Sequence, residues 1–433
     1  MLNVKVTRVN SINGVIHLPG DKSISHRAAI IASNAVGTSR LNNFSTSQDC
    51  QSTLDCLVSL GVKILVREKS VTVGGVGKFG FTKSDWPLNC GNSGTTMRLM
   101  AGVLAGQPFD TVLTGDDSLL RRPMRRIIDP LERMGAVFGS DDGRAPLTIR
   151  GGQRLTGISY EVPVASAQVK SGILLAGMHA EGDTVVIEST PTRDHTERLL
   201  RCFGIGVDTD GLDQRSIRVS GTANAKATDF EIPGDISSAA YFLVAASCLR
   251  GSKLKLCNVG LNPTRSAILK VLHSLGARIS LIDVSSEIDE PSGHIEIWGG
   301  LEVQSRLLSI EGNEIAGLID ELPILAILGT QLEYGLEVRG AAELRFKESD
   351  RLYAITENLR RMGASVSEFD DGFHVERSDL QGAIIDSFGD HRIVMAFAVA
   401  GLLADGETEI IGAECANVSF PGFFETLKTV ATR

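Results

Sequence analysis

The stretch Leu54-Asp-Cys-Leu-Val-Ser-Leu-Gly-Val-Lys-Ile64 decides how this 433-residue chain folds, because it recurs. It is an amphipathic run closed by glycine and followed by a strand-like segment, and its copies are IDPLERMGAVF (128–138), LLRCFGIGV (199–207), VLHSLGARI (271–279) and LRRMGASV (359–366). The glycines stand at 61, 135, 204, 276 and 363. Glycine suits the left-handed residue after a helix C-terminus, so each copy reads as helix, stop, strand. A sixth such helix, from Phe423 onward, ends the sequence.

A second helix series is offset from the first. Its members are small-residue and nearly all apolar, and they begin around Ser23, Ser93, Ser166, Ser237, Asp320 and Asp390. Each runs into a glycine-containing turn and a β-rich run such as DTVVIES (183–189), SKLKLCNV (252–259) or ETEIIGAE (407–414). One helix per unit is apolar around most of its surface and the other has a charged face, so the first is expected to be buried and the second to cover it. Six βαβαββ units result, with helices inside and strands outside. A solenoid would repeat at roughly 20 to 50 residues, closer than the spacing here.

Six units over a chain of this length predict two domains of about 200 residues, three units in each. The first strand precedes the first complete unit, so the N-terminal and C-terminal units are expected to share a domain. That makes residues 1–19 and 234–433 one discontinuous domain and 20–233 an inserted one. The turn chemistry of Pro19-Gly20 and Pro233-Gly234 suits the two crossings.

Composition is that of an ordinary globular protein, 42% hydrophobic and 22% charged. A net charge of −9 argues against nucleic acid or a membrane surface as partner, so any anion site must be local. The longest apolar stretches, 393–404 and 239–249, fall short of the ~20 residues that span a bilayer. The N-terminus reads as a strand without a secretory signal, and a cytoplasmic location is expected. Seven cysteines form no CxxC pair and no metal spacing, so they are expected to be reduced packing residues, and neither metal nor cofactor is expected.

The starts of the apolar helices read GDKSISHR, CGNSGTTMR, ASAQVKSG, GDISSAA, IDELP and GDHR. Helix starts favour Ser and Asp as caps, and these supply them. Capping does not require Lys22, Arg27, Arg98, Lys170 or Arg392. Cations are unfavourable at a helix N-terminus unless an anion sits among them. If the helices of each domain run parallel, their starts converge on one face, and the two faces can meet across a cleft. Gly91-Asn-Ser-Gly-Thr-Thr96 permits close backbone approach to a ligand. Ser166 and Gln168 can donate to it. In GDDSLLRRPMRR (115–126), Arg122 sits at the turn, and Arg125 and Arg126 are expected on an exposed helix face. TRDHTER (192–198) reads as a solvated helix start around His195, with no second histidine for a metal. Lys347 and Arg351 in KESDR are expected on one helix face, with Glu348 adjacent. Asp320 is read as a cap that is also a candidate base, and Asp390 as the cap before Arg392.

LPGDKSISHR, NSGTTMR, RRPM, SAQVK, GDISSAA, KESDR and GDHR occur in the order seen in the 5-enolpyruvylshikimate-3-phosphate (EPSP) synthases, which the chain resembles over nearly its whole length. The resemblance implies an α/β fold, the two-domain inverse α/β barrel, with the active site in the interdomain cleft. It implies transfer of the enolpyruvyl group of phosphoenolpyruvate to the 5-hydroxyl of shikimate 3-phosphate, releasing phosphate, by a monomer without metal or cofactor. Shikimate 3-phosphate would meet Lys22, Ser23, Arg27, Ser166, Gln168, Arg193, Asp320 and Lys347. Phosphoenolpyruvate would meet Lys22, Gly94, Arg122, Gln168, Arg351 and Arg392. Asp320 resembles the carboxylate that receives the 5-hydroxyl proton, Lys347 lies beside it, and Glu348 resembles the group exchanging a proton with the methylene.

Ala167 replaces a second serine of one branch of the family, and Asn417-Val-Ser-Phe-Pro421 lacks the cation that branch carries before its Phe-Pro. SAQVK, RDHTE and NPTR (262–265) instead resemble the branch associated with glyphosate tolerance, although some tolerant members carry Ala where Gly94 stands. The related UDP-N-acetylglucosamine enolpyruvyl transferases share fold and chemistry but have a loop cysteine that 115–126 lacks. A non-catalytic anion-binding scaffold would give carboxylates such as Asp320 and Glu348 no reason to accompany the cations.

Overall fold

The computed structural model describes residues 2–210, 215–286, 289–302 and 304–432. The repeat helices are, in chain order, α1 (Lys22–Asn34), α2 (Gln48–Ser59), α3 (Gly94–Leu104), α4 (Arg125–Arg133), α5 (Ala167–Gly177), α6 (His195–Cys202), α7 (Ile236–Cys248), α8 (Ala267–Ser274), α9 (Leu322–Gly329), α10 (Arg351–Arg361), α11 (His391–Leu403) and α12 (Phe423–Val430). The odd-numbered members are the apolar series. In α11 every residue from His391 to Leu402 is buried. The even-numbered members bury one face, as in α2, where Cys50, Thr53, Leu54 and Leu57 point inward while Gln51, Asp55 and Val58 are exposed. The stop glycines do what their chemistry allows: Gly61, Gly135, Gly204, Gly276 and Gly363 have φ of 86°, 104°, 78°, 76° and 78°.

Small residues bring the buried helices together. A Cβ added to Gly102 of α3 would lie 2.1 Å from the carbonyl oxygen of Gly172 in α5, so only glycine permits that crossing. α1 and α3 pack together, as do α3 and α5, and α7, α9 and α11 pack mutually.

Each helix group is wrapped by sheets of one plan. The strand before a buried helix lies parallel to the strand after it, and an antiparallel pair completes the sheet, except around α11, where Asn3–Thr7 alone completes it among the described residues. Around α5, Ser159–Val162 pairs parallel with Asp183–Glu188, followed by Ser216–Ser220 and Val207–Asp210. The parallel partners are exchanged at two places. Ser11–His17 precedes α1 but pairs with Lys253–Gly260, which follows α7. Phe230–Glu231 precedes α7 but pairs with Val36–Asn42, which follows α1.

The chain forms two compact units. The discontinuous unit comprises Met1–Pro19, Pro233–Ser285 and Pro291–Arg433, and the inserted unit comprises Gly20–Ile232 with Ser286–Glu290. The last segment departs from the uninterrupted 234–433 read from the sequence, and its Glu290 is buried against His195. Asn3–Thr7 pairs antiparallel with Glu407–Ile411 and completes the sheet of the last repeat. Each unit has its own apolar core, that of the inserted unit built on Ile30, Leu99 and Leu174, and the other on Phe242, Leu325 and Phe397.

Candidate active site

In the inserted unit, the starts of α1, α3 and α5 are capped by Asp21, Ser93 and Ser166, whose side chains accept the backbone N–H of Ile24, Thr96 and Val169. Side chains then tie the starts to one another. Gln168 accepts from Arg98 Nη1 at 2.6 Å and donates to Thr95 Oγ1 at 2.9 Å. Lys22 Nζ lies 3.0 Å from Asp49 Oδ2, half-buried at the first turn of α1. Arg27, expected as a ligand, is buried and donates to Thr196 Oγ1 at 2.8 Å, Ser171 Oγ at 2.9 Å and the carbonyl of Ser23 at 2.9 Å, so it braces α1 against α5 and α6. Arg193 sits half-buried in the turn before α6.

Arg122 donates to the Asn92 carbonyl at 3.2 Å and to Asn92 Oδ1 at 2.5 Å, so it lies against the glycine-rich start of α3. A Cβ on Gly94 would stand 2.9 Å from Arg98 Nη1 and 3.4 Å from Arg122 Nη1. This start therefore gathers two guanidinium groups and the first N–H groups of a helix, an arrangement suited to an anion.

Two sequence readings need correction here. Lys170 does not serve the anion face, because it is buried 2.9 Å from Glu188 and 2.7 Å from Glu197, and these carboxylates hold its ammonium above the ordinary lysine range despite burial. His195 is not solvated: it is buried with Nδ1 2.6 Å from Glu290 Oε1.

In the discontinuous unit the starts of α7, α9, α10 and α11 form a dense charge cluster. Arg351, fully buried, donates from Nε to Asp390 Oδ2 at 2.8 Å, from Nη2 to Glu348 Oε2 at 2.5 Å and from Nη1 to Asp320 Oδ1 at 3.5 Å. Arg392 donates to the Asp320 carbonyl at 2.9 Å, and its Nη2 lies 3.4 Å from Asp320 Oδ2. Asp320 is thus a partly exposed carboxylate held between two guanidinium groups. Burial pushes the Asp390 carboxyl up, but Arg351 outweighs it and holds the group below the ordinary carboxylate value. Burial pulls the Lys347 ammonium below the ordinary lysine range, against the opposing pull of Asp320, Glu343 and Glu348.

Asp390 caps α11 as expected, accepting from Arg392 N. Asp320 does not cap α9. Glu321 occupies that position without a side-chain cap bond and accepts from Ser237 Oγ instead, which frees Asp320 for the arginines. Lys347 and Arg351 do not share a helix face either: 342–346 is a 3₁₀ turn, Lys347 is extended, Asp350 caps, and α10 begins only at Arg351. The cap at Asp350 ends what looked like one charged helix.

The residues that support these clusters carry no local signal in the sequence. Asp49, which holds Lys22, reads as an ordinary acid in a first helical turn. Thr196 and Ser171, which hold Arg27, read as helix-start and core residues. Arg265 of NPTR donates to Asp235 Oδ1 at 3.1 Å and to Ser237 Oγ at 2.6 Å, and so braces the start of α7 from a distant segment. Among the described residues, no group of three or more His, Cys, Asp or Glu side chains is placed to hold a metal ion, and no helix is long and apolar enough to cross a membrane.

The family profile described as EPSP synthase (3-phosphoshikimate 1-carboxyvinyltransferase) matches residues 6–427. The chain belongs to the EPSP synthase family. It is 50% identical over 437 residues to the 3-phosphoshikimate 1-carboxyvinyltransferase of Koribacter versatilis, covering 100% of both chains, and 47% identical to that of Salinibacter ruber, covering 98% of this chain and 99% of the other. The solved EPSP synthase of Acinetobacter baumannii superposes with a TM-score of 0.87 at 40% identity, covering 99% of this chain and 98% of that one. The mixed α/β fold is therefore that of the EPSP synthases, and both charge clusters fall within the matched residues.

Proposed function

We propose that this chain performs the reaction for which its family is named, transfer of the enolpyruvyl group of phosphoenolpyruvate to the 5-hydroxyl of shikimate 3-phosphate with release of phosphate. Family membership over the whole chain carries this reading. In it, residues of these clusters hold the two substrates. Lys22, Ser23, Ser166, Gln168 and Arg193 hold shikimate 3-phosphate, with Arg27 bracing their helices and reaching the same anion. Gly94, Arg122, Arg351 and Arg392 hold phosphoenolpyruvate, and Lys22 and Gln168 touch both ligands.

The chemistry needs an acid, a base and a cationic frame. Glu348 gives a proton to the methylene of phosphoenolpyruvate, leaving a cationic carbon. Asp320 takes the proton of the 5-hydroxyl as its oxygen attacks that carbon, and Lys347 lies beside this transfer. The tetrahedral adduct then loses phosphate, and a proton leaves the methyl group to restore the enol ether. Arg351 and Arg392 hold the Asp320 side chain in place. Self-sufficient cores in both units support a monomer, and seven unpaired cysteines support a cytoplasmic location.

Phosphate release from phosphoenolpyruvate, measured with shikimate 3-phosphate and with UDP-N-acetylglucosamine as alternative acceptors, tests the reading. Turnover with shikimate 3-phosphate alone is expected. Turnover only with the nucleotide sugar would overturn it.

A further inference from the structure

A buried string of hydrogen bonds joins α1, α2 and α3 of the inserted unit. His26 Nδ1 is 2.7 Å from Thr53 Oγ1, Thr53 Oγ1 is 2.7 Å from Thr96 Oγ1, and Thr96 Oγ1 is 2.8 Å from Ser93 Oγ, the oxygen that caps α3. His26, Thr53 and Thr96 are 0% exposed and Ser93 1%, so water does not complete these bonds from outside. The reaction described above uses none of the four.

Counting hydrogens gives the string a direction. Thr96 has one hydroxyl hydrogen, and Ser93 Oγ at 2.8 Å takes it in preference to the Asp49 carbonyl at 3.4 Å. The contact between Thr53 and Thr96 must then be donated by Thr53. The contact between His26 and Thr53 must in turn be donated by Nδ1. His26 Nε2 is buried with no partner, so a proton on Nδ1 leaves only a lone pair unmet, whereas a proton on Nε2 would strand a donor. Burial first, then Lys22 and Arg27, hold this imidazole well below its ordinary range, and the ring is neutral. At the other end Ser93 Oγ accepts both the Thr96 hydroxyl and the Thr96 backbone N–H at 3.1 Å. The hydroxyl hydrogen of Ser93 meets no acceptor among the described residues.

We propose that His26 is a positioning residue for phosphoenolpyruvate: its Nδ1–H starts a one-way string through Thr53 and Thr96 to Ser93 Oγ, which fixes the cap of α3 and with it the helix start beside Gly94 and Arg122 that meets the substrate. The proposal rests on the assignment of Gly94 and Arg122 to phosphoenolpyruvate. A string running the other way would take the Thr96 hydroxyl donor away from Ser93 Oγ and leave the cap held by one bond fewer.

Two substitutions and one spectrum test it. In His26→Leu the first donor is lost; in His26→Asn the amide nitrogen stands on the γ carbon, where the imidazole carries Nδ1, and can still donate to Thr53. His26→Leu is expected to raise KM for phosphoenolpyruvate roughly tenfold, the order of one buried hydrogen bond, with kcat and the KM for shikimate 3-phosphate within about threefold. His26→Asn is expected to return KM to within about threefold of the parent enzyme. A fall in kcat with both KM values raised alike, or no recovery in His26→Asn, would overturn the positioning role. Nitrogen-15 NMR of the unsubstituted enzyme at neutral pH is expected to show His26 as the neutral Nδ1–H tautomer. An Nε2–H tautomer or an imidazolium would overturn the string whether or not His26→Leu folds, and whether or not the enzyme accepts phosphoenolpyruvate.

Discussion

Replacing Lys170 by methionine should destabilise the inserted unit severely, because among the described residues the two carboxylates around it pair with no other cation. Lys170 Nζ stands 2.9 Å from Glu188 and 2.7 Å from Glu197, and the three side chains are 1%, 4% and 3% exposed. Methionine conserves most of the volume, so the loss is electrostatic rather than a cavity. Removing one partner from a buried ion pair typically costs about 3–5 kcal/mol, since the remaining charge keeps its desolvation penalty without compensation. For a unit of this size that is a fall in melting temperature of roughly 10 °C. Calorimetry, with a urea titration to show that the slope is unchanged, measures it.

The pH dependence has a definite sign. The folded-state pKa of Lys170 is raised, so its contribution is complete below the unfolded lysine value near 10.5 and is lost only as pH rises through the folded value. The deficit of Lys170→Met should therefore be flat from about pH 7 to 9, and it should shrink toward acid as the stranded carboxylates take up protons. Glu188→Gln and Glu197→Gln added to Lys170→Met remove the stranded charges and should recover most of the loss. A deficit under about 1 kcal/mol, or one that grows toward acid, would show that the stranded carboxylates carry no such penalty.

Three further substitutions probe the charge clusters. Gly94→Ala places a methyl 2.9 Å from Arg98 Nη1 and 3.4 Å from Arg122 Nη1, so KM for phosphoenolpyruvate should rise about tenfold with KM for shikimate 3-phosphate nearly unchanged; equal rises would argue against the assignment. Lys22→Ala should lower turnover by about a thousandfold or more while the melting temperature moves only a few degrees, because Lys22 is half-buried at a helix start; near-normal steady-state activity would remove it from the site. Asp320→Asn keeps the shape but not the base, and should lower kcat by roughly 10²–10⁴. A parent-like kcat in rapid-quench assays would assign the base elsewhere.

The repeat was legible because its signals are local. The stop glycines all adopt positive φ, and Asp21, Ser93, Ser166, Asp235 and Asp390 all cap the helices whose starts drew notice. What stayed hidden depends on distant partners. Lys170 looks like Lys22 on paper, each a cation near an apolar helix start, yet one meets Glu188 and Glu197 and the other Asp49 at the site. KESDR carries helical spacing, but the cap at Asp350 restarts the helix and leaves Lys347 outside it. His195 packs against Glu290, ninety-five positions on, which no local pattern could supply. The exchange of parallel strands at the crossings is likewise a pairing between segments that the chain separates widely.

In the proposed reaction, enolpyruvyl transfer proceeds by addition and elimination, with the methylene carbon of phosphoenolpyruvate passing through a methyl group. Turnover in deuterium oxide with shikimate 3-phosphate, followed by mass spectrometry of the product at low conversion, tests it directly. The predicted result is one phosphate released per product, with deuterium in the enol-ether methylene. Phosphate release with a product free of deuterium there, or no phosphate at all, would contradict it.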